Sequence, residues 1–461
     1  MALADFSVEL ESVYMRLQAG LKKNPRGYEW RIAQLQALKR LVEENDAALS
    51  EAMWKDLHKS KFECMASEQG VVLSELDITL KKLKRWMKPR RASTPLYNLL
   101  GRTKIFYEPL GLTLIIGPWN YPINLTLAPL VGAIAGGNGA IIKPSEIAVA
   151  TAELLADLIP RYMDRDLFAV LQGASEETGL LLDKKFDFIF FTGSGPVGKI
   201  IMQKAAVHLT PTVLELGGKS PAVILPDADL KVSARRIVWG KFMNAGQTCV
   251  APDYVLVHSS VRSSFIDELK KNLFEFYGQN SKSSPDYCRI INAKNFDRLM
   301  KMLEGQKILH GGANDRAMLF IEPTLIEALP QSDVMQNEIF GPILPILQID
   351  KTDEIISFIN ERPKPLALYV FTQNVKVIDT FVNGTSSGAL CINDNVIHMP
   401  MTSVPFGGVG DSGMGNYHGE FSFKTFTHAK AVLKKSTRFD VPVRYAPYSD
   451  SKSRILKWLL R

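Results

Sequence analysis

The sequence predicts an α/β protein. Short apolar segments closed by turn residues alternate with segments whose apolar residues recur every three or four positions. This alternation is typical of βαβ units, in which a helix connects two parallel strands of one sheet. With 461 residues, 46% of them hydrophobic and 22% charged, the chain is long enough for two or three domains, each with its own core.

Helical periodicity dominates the first hundred residues. Apolar side chains at Leu35, Leu38, Leu41 and Val42 fall on one helical face, with charged residues between them. A second clear helical segment spans Ala148 to Tyr162, between two apolar runs. Helices are therefore expected both before and within the strand-rich part of the chain.

The predicted strands begin after Lys104, where the pattern changes to short apolar runs. They lie in the segments GLTLIIGPWNYP, AIIKPSE, LFAVLQG and FDFIFFTG, and after Thr212 in TVLELGG, PAVILP and YVLVH. Near the end of the chain we expect an extended segment from about Phe421 to Lys435, followed by a polar tail. No fixed-period repeat interrupts this order.

The N-terminus and the apolar segments argue against export and membrane spanning. Asp5, Glu9 and Glu11 occupy the place where the apolar part of a secretory signal would lie. The most apolar region, Leu125 to Gly137, is broken by Pro129 and falls short of the roughly 18 to 20 apolar residues that span a bilayer. The last residues, KSRILKWLLR, are also too short to span.

The net charge of +7 has an ordinary explanation. Its densest basic run, Lys81 to Arg91, is typical of a solvated helix end, and no nucleic-acid-binding motif accompanies it. An anionic cofactor or substrate is an equally good reason for a positive field. We expect a small-molecule ligand and no nucleic-acid partner.

Four cysteines are present, with no metal-ligand spacing among them. They are Cys64, Cys249, Cys288 and Cys391. In a chain without an export signal this indicates free thiols in a reducing, cytoplasmic compartment, and no metal site. Cys391 lies in the apolar strand ALCIN and is expected to fill the core, whereas Cys249 lies among small residues in NAGQTCVAP, where a thiol has access to a cleft.

A glycine-rich turn follows the strand FDFIFFTG. Gly193, Gly195 and Gly198 match the GxGxxG pattern that brings a dinucleotide phosphate to a helix N-terminus. The same pattern expects an acidic residue about 20 positions further on as the ribose ligand. Glu215 lies 22 positions after Gly193, so the pattern alone assigns it to the ribose. A purely structural turn is the alternative for the glycines taken alone.

Seven segments, in order, resemble the aldehyde dehydrogenase family. They are PWNYP (118–122), KPSE (143–146), FTGS (191–194), ELGGKSP (215–221), GQTC (246–249), EIFGP (338–342) and PFGGVGDSGMG (405–415). The resemblance covers about residues 5 to 448. The segments ERPKPLALYVFT and YHGEFSFKTFTHAKAV resemble the class 3 branch in particular, which includes cytosolic and fatty aldehyde dehydrogenases.

The resemblance implies a catalytic set of Cys249, Glu215 and Asn120. Cys249 would attack the aldehyde, since a thiolate is a strong nucleophile and is partly ionised near neutral pH. The Asn120 amide and the Cys249 peptide N–H would stabilise the oxyanion. Glu215 would activate the water that hydrolyses the thioester, which overrides its assignment to the ribose and favours a hydrolytic enzyme over a coenzyme A-dependent relative.

The resemblance also implies NAD or NADP as cofactor, without deciding between them. Lys143 and Glu146 would hold the adenosine ribose, the glycine turn with Ser194 would approach the pyrophosphate, and Glu338 and Phe340 would hold the nicotinamide ribose and ring. The complete implied cofactor set is Trp119, Lys143, Ser145, Glu146, Gly193, Ser194, Val197, Gly198, Leu216, Gly217, Glu338 and Phe340. The PFGGVGDSGMG loop lacks the lysine of a phosphate-binding loop and is expected to form a wall of the cleft.

The expected architecture is a Rossmann-like cofactor-binding domain, an α/β catalytic domain and a small β oligomerisation arm. The ranges are 1–80 and 104–211 for the cofactor domain, 212–400 for the catalytic domain, and 81–103 with 401–461 for bridging segments and tail. By resemblance, the segment near Phe421 to Val432 pairs two copies into a homodimer. Class 3 members that bind membranes carry a long apolar C-terminal anchor, so either the protein has none or the chain is trimmed.

Two other functions remain open from the sequence alone. One is cysteine-dependent acyl transfer or thioester hydrolysis without a redox step, although no Cys-His-acid signature supports it. The other is a binding protein on a dehydrogenase fold, which the presence of Cys249, Glu215 and Asn120 disfavours. The leading hypothesis is oxidation of a medium-chain, fatty or aromatic aldehyde to its acid with NAD or NADP.

Overall fold

The computed structural model describes residues 3–23, 25–98, 101–438, 440 and 442–460. Its helices are α1 (Leu3–Lys23), α2 (Tyr28–Glu44), α3 (Asp46–Leu57), α4 (Lys61–Cys64), α5 (Gly70–Trp86), α6 (Asn124–Gly136), α7 (Val149–Tyr162), α8 (Ser175–Leu182), α9 (Gly195–Val207), α10 (Leu230–Phe242), α11 (Ser259–Tyr277), α12 (Ala293–Leu303), α13 (Thr352–Asn360), α14 (Val375–Gly384), α15 (Gly419–Thr425) and α16 (Asp450–Leu459). A π-helical turn, Met65–Gln69, joins α4 to α5.

The strands, in chain order, are β1 (Arg90–Ala92), β2 (Arg102–Pro109), β3 (Leu112–Ile116), β4 (Gly139–Lys143), β5 (Phe168–Val170), β6 (Phe188–Thr192), β7 (Thr212–Glu215), β8 (Pro221–Ile224), β9 (Tyr254–Val257), β10 (Lys307–His310), β11 (Asn314–Asp315), β12 (Phe320–Ile321), β13 (Thr324–Glu327), β14 (Ile343–Gln348), β15 (Ala367–Phe371), β16 (Ala389–Ile392), β17 (Gly413–Met414) and β18 (Thr427–Lys434).

A six-stranded sheet carries the predicted glycine turn. Its order is β17-β7-β6-β3-β4-β5, and all neighbours from β7 to β5 are parallel. Strands β3, β4 and β6 are buried along their whole length, which is why their sequences are continuous apolar runs rather than alternating ones. The chain leaves β3 toward β4 and β5 on one side and returns to β6 and β7 on the other. The carboxyl ends of β3, β6 and β7 therefore border the crevice where open α/β sheets bind ligands.

A seven-stranded sheet forms the second α/β layer. Its order is β10-β13-β14-β9-β8-β15-β16, in which β10 alone among the described strands pairs antiparallel with its neighbour. The separate three-stranded sheet β1-β2-β18 is antiparallel. This arrangement confirms the predicted architecture of two α/β units and a small β arm.

Helix α6 packs at the centre of the structure. Every one of its residues is buried, including Pro129, and an all-apolar helix surface is expected for a helix enclosed on all sides. It contacts α5, α15 and the parallel strands β3 and β4. Its first turn follows the PWNYP segment directly, so the core fixes the position of that segment.

Two details of the sequence prediction differ from the structure. The segment from Phe421 is not extended throughout, because residues up to Thr425 belong to α15 and only Thr427–Lys434 forms a strand. Phe423 and Phe426 are buried there, and the helix brings both against the core. The six-stranded sheet also continues past the expected domain boundary at residue 211, because β7 pairs in parallel with β6.

No helix in the described part of the chain is both long enough and apolar enough to cross a membrane.

Candidate active site

A cleft of about 490 Å³ lies at the carboxyl ends of β3, β6 and β7. It is lined by Pro118, Trp119, Asn120, Leu125, Thr192, Gly193, Ser194, Glu215, Leu216, Gly217, Cys249, Asn295, Arg298, Met302, Asn337, Glu338, Phe340, Phe406 and Tyr417. The three expected catalytic residues and seven of the expected cofactor residues meet in this cleft. Five separate motifs supply them, so the fold brings together residues that are more than 100 positions apart.

The loop that carries Cys249 begins with an unusual turn. Asn244, Ala245 and Gly246 follow α10 and all have left-handed backbone conformations, with φ of 52°, 49° and 74°. A side chain at Gly246 would collide with the carbonyl oxygen of Gly341. Left-handed non-glycine residues cost about 1 kcal/mol or more each and persist only where neighbouring groups hold them.

The surroundings of the Cys249 thiol favour its protonated form. Its side chain is partly exposed to the cleft. The pKa of this thiol is raised to about 12. Burial is the largest cause, and the charges of the nearby Glu338 and Glu215 carboxylates add to it. Desolvation and negative neighbours thus both disfavour the thiolate form that the sequence analysis expected.

The other cysteines lie outside the cleft. Cys64 and Cys288 are fully buried. Cys391 is only half-buried in β16, at the edge of the seven-stranded sheet, and so is less enclosed than its apolar neighbours in sequence suggested. Cys249 is the one thiol among the described residues that lines the cleft.

The Asn120 side chain is buried at the wall of the cleft. Its amide nitrogen donates a hydrogen bond to the Gln247 carbonyl oxygen at 3.0 Å. The Asn120 carbonyl oxygen accepts from the Asn244 amide at 2.9 Å and from Lys59 Nζ at 3.2 Å. An asparagine amide carries two N–H donors, so one remains for a ligand in the cleft.

Glu215 ends β7 in an apolar setting. Its side chain is buried, and neither carboxylate oxygen has a hydrogen-bond partner among the described residues. Burial raises the pKa of this carboxyl well above its usual range. An unpartnered buried carboxyl is costly to maintain, and such groups are found chiefly at sites of chemistry.

Glu338 and Phe340 lie opposite Trp119. The rings of Phe340 and Trp119 meet edge to face, with centroids 5.3 Å apart. Burial, and next the charge of Asp253, raise the pKa of Glu338 to about 8. A side chain at Gly217 would collide with the Glu338 carboxyl group, so that glycine is required by this close approach.

The glycine turn after β6 has a less strained geometry than the fingerprint predicts. None of Gly193, Gly195 and Gly198 has a positive φ. Gly198 is required by packing, since a side chain there would press against Leu216, whereas a Cβ on Gly195 would meet open space. The N-terminus of α9 begins at Gly195, so its free amides face this space, as anion binding requires.

Some expected cofactor residues lie outside the cleft itself. Lys143 and Glu146 form an ion pair, with Nζ and Oε2 2.7 Å apart, at the carboxyl end of β4. Ser145 is buried beside them, and Val197 is exposed on the first turn of α9. These residues lie after β4 and at the start of α9, outside the lining of the cleft.

Several cleft residues were not anticipated from the sequence. Asn295, Arg298 and Met302 lie three and four positions apart, and so on one face of α12. Phe406 comes from the glycine-rich loop that was expected to form a wall, and Tyr417 follows that loop. The sequence shows the helical spacing of the three α12 residues, but this spacing does not indicate a chemical role.

In the described part of the chain, no group of three or more potential metal ligands converges.

Comparisons with known proteins are consistent across sequence and structure. The model of the aldehyde dehydrogenase family matches residues 25–432. Aldehyde dehydrogenase family 3 member A2 of Pongo abelii is 49% identical over 448 residues, which cover 96% of this chain and 92% of that protein. The "dimeric NADP-preferring" aldehyde dehydrogenase of Rattus norvegicus is 50% identical over 412 residues, covering 89% and 91%. A substrate-bound structure of Staphylococcus aureus AldH superposes with a TM-score of 0.95 at 44% identity, covering 98% and 99%.

The raised pKa of Cys249 predicts how its alkylation depends on pH. Because only the thiolate reacts, and because pH 7 to 9 lies well below a pKa of about 12, the rate should rise about tenfold per pH unit without a plateau. Iodoacetamide labelling of the protein without cofactor, followed by peptide mass spectrometry, measures this rate. Half-buried Cys391, with a pKa of about 11, is an internal comparison. A plateau for Cys249 near neutral pH would contradict the protonated resting state.

Proposed function

Because the chain belongs to the aldehyde dehydrogenase family, whose members oxidise aldehydes to acids with NAD or NADP, we propose that it does so through Cys249, Asn120 and Glu215. The observation that carries this proposal is the single cleft that these three residues share with Trp119 and Glu338. A nucleophile, an oxyanion donor and a base thus border the same space. Each has the chemical type that its step requires.

The first step joins the Cys249 sulfur to the aldehyde carbon. Since its surroundings favour the protonated thiol, the proton passes to a water molecule in the cleft as the carbon–sulfur bond forms. Negative charge then develops on the former carbonyl oxygen. The free N–H of the Asn120 amide and the Cys249 peptide N–H stabilise it, and loss of one such donor typically costs about 10²–10³ in rate. When bound, the nicotinamide cofactor accepts the hydride that this adduct releases.

The second step hydrolyses the thioester on Cys249. Glu215 takes a proton from a water molecule, whose oxygen attacks the acyl carbon and expels the sulfur as thiolate. A carboxyl group whose pKa is raised by burial is suited to this role, because its basicity then approaches that needed near neutral pH. Its unpartnered oxygens leave it free to bind the water.

The residues present fit a dinucleotide. The N-terminus of α9 with its open space at Gly195 suits the pyrophosphate. The Lys143–Glu146 pair suits the adenosine ribose, with Ser145 and Val197 beside it, and Glu338 and Phe340 suit the nicotinamide ribose and ring. The remaining contacts in this proposal come from Trp119, Gly193, Ser194, Gly198, Leu216 and Gly217.

The proposed substrate is a medium-chain, fatty or aromatic aldehyde. Leu125, Phe406 and the ring of Tyr417 line the cleft around Cys249, and they offer an apolar surface to a hydrocarbon group.

We assign the six-stranded sheet with α1 to α9 to cofactor binding and the seven-stranded sheet to catalysis. The four free cysteines suit a reducing, cytoplasmic setting.

The assembly that we propose is a homodimer. Strand β18 lies at one edge of the antiparallel sheet, and almost all of it is exposed. Strand β16, which is apolar and half-exposed, forms an open edge of the seven-stranded sheet. Unpaired strand edges favour pairing with another chain. The rat relative is described as dimeric, which supports the same assembly.

Replacement of Cys249 by alanine should lower the rate of cofactor reduction at least about 10³-fold, because no other group forms the covalent adduct. Cofactor binding, measured as a thermal shift, should persist. Cys391→Ala is the matched control and should retain activity. Reduction at the wild-type rate in Cys249→Ala would remove this thiol from the mechanism. Ester hydrolysis that needs Cys249 without any aldehyde oxidation would instead indicate an acyl-transfer enzyme.

Glu215→Gln should separate the two half-reactions. The first turnover should still release reduced cofactor as a burst, whereas the steady-state rate should fall about 10²- to 10⁴-fold because deacylation lacks its base. Stopped-flow absorbance measures both phases, with Glu338→Gln as the comparison. An unchanged steady state would assign the base elsewhere. A weakened cofactor affinity as the main effect would restore Glu215 as a ribose ligand.

If β18 forms the dimer interface, charge added to this strand should separate the subunits. Val432 and Leu433 are exposed apolar residues of that strand. The double variant V432K/L433K should elute as a monomer in size-exclusion chromatography with light scattering, whereas the wild type elutes as a dimer. Val8→Lys, at an exposed valine of α1, is the control and should not change the mass. A monomeric wild-type protein at micromolar concentration would disprove the assembly.

A further inference from the structure

A buried group of charged residues lies behind the wall of the cleft. Lys59 and Glu68 are completely buried and form an ion pair, with Nζ and Oε1 3.0 Å apart. Glu63, on α4, is close enough for its charge to act on Lys59. We call these three residues the Lys59 cluster. None of them lines the cleft, and the proposed chemistry does not use them.

The Lys59–Glu68 pair holds the segment that carries Asn120. Lys59 Nζ donates to the Asn120 carbonyl oxygen at 3.2 Å and lies 4.1 Å from the centre of the Tyr121 ring. Glu68 Oε2 accepts the backbone N–H groups of Ile123 and Asn124, at 3.2 and 2.8 Å. A carboxylate at the start of α6 also interacts favourably with the helix dipole.

Glu63 holds the loop that carries Cys249. Its Oε1 accepts the backbone N–H of Asn244 at 2.8 Å, at the first of the three left-handed residues. Its Oε2 lies 3.6 Å from the Cys288 sulfur. The Asn244 side-chain amide donates to the backbone carbonyl oxygens of Asn120 and Gln247. The cluster thus contacts both segments that supply the oxyanion donors.

The cost of this cluster argues for a specific role. A buried ion pair rarely adds net stability, and apolar residues of similar volume often replace one without loss. Burial opposes the charge of Lys59, but Glu68 and Glu63 outweigh it and raise its pKa, so the lysine stays charged. What the charged groups provide, and apolar ones cannot, is directed hydrogen bonding to the Asn120 and Asn244 backbones.

We propose that the Lys59 cluster positions the Asn120 amide against the Cys249 peptide, with Glu63 as the residue that aligns the cysteine loop. This proposal rests on the proposed oxyanion role of Asn120. The three residues touch no reacting atom, so they are positioning residues. A displacement of about 1 Å at a reacting group is enough to cost on the order of 100-fold in rate.

Glu63→Ala removes the acceptor for the Asn244 N–H and should lower the rate of hydride transfer about 10- to 100-fold. The dissociation constant of NAD or NADP and the KM for the aldehyde should stay within about twofold, since neither ligand contacts Glu63. Stopped-flow absorbance measures the rate of hydride transfer. Fluorescence titration measures the dissociation constant of the cofactor, and steady-state kinetics give the KM for the aldehyde. A folded Glu63→Ala protein with wild-type hydride transfer would overturn the proposal.

Two further variants keep the test decisive if Glu63→Ala does not fold. Glu63→Gln keeps an oxygen acceptor at the same reach and should restore hydride transfer to within about threefold of wild type. Glu63→Asp keeps the charge beside Lys59 but shortens the reach, so its rate should fall. Equal rates for Asp, Gln and wild type would exclude alignment through this hydrogen bond. Glu51→Gln, in an exposed ion pair of α3, is the control and should leave all rates unchanged.

Asn120→Ala separates this proposal from the one on which it rests. If Asn120→Ala retains wild-type hydride transfer, the oxyanion role fails and the positioning role fails with it. If Asn120→Ala loses at least about 10²-fold while Glu63→Ala and Glu63→Asp lose nothing, only the positioning role fails. If both positions lose rate and cofactor affinity is kept in both, the two proposals stand together.

Discussion

The hydrogen bond from the Asn244 side chain to the Asn120 carbonyl oxygen joins the two halves of the site. One half is the turn after β3, which the core fixes through α6, and the other is the loop that ends in Cys249. Together with the Glu63 contact to the Asn244 N–H and the hydrogen bonds between Asn244 and Gln247, this bond holds three successive left-handed residues in their conformation. The position of the nucleophile therefore depends on a polar contact buried in the protein, not on packing alone.

The surroundings of the cleft favour the neutral forms of its ionisable side chains. The pKa values of Cys249, Glu215 and Glu338 are all raised, chiefly because the cleft is poorly solvated. Three negative charges in so small a volume would repel one another strongly at low dielectric. In the proposed mechanism, the negative charge that develops during attack meets the N–H donor of the Asn120 amide.

The sequence predicted the parallel strands β3, β4, β6, β8 and β9 because each is buried along its length and so appears as a continuous apolar run. The strand from Thr427 was anticipated, but the preceding helix α15 was not, since its short FSFK segment has no clear helical period. The motifs identified Cys249 and Glu215, while the polar residues of α12 resembled an ordinary solvated face. The Lys59 cluster was invisible for the same reason: KSKFECMASE looks like an exposed helix, and only the tertiary fold encloses Lys59 and Glu68.

The competing assignments of Glu215 illustrate why chain spacing alone misleads here. In the proposed cofactor site, the ribose role belongs to the Lys143–Glu146 ion pair at the end of β4, which places a cation beside a carboxylate. Glu215 instead ends β7 beside β17, with Gly413 as its partner across the ladder. Its carboxyl group is buried, and no cation among the residues that the structure describes forms an ion pair with it. The acidic residue that the fingerprint expects is thus present at the right distance in sequence, but it shares the cleft with the Cys249 thiol, and the proposed ribose ligands follow β4, which two other strands separate from β7.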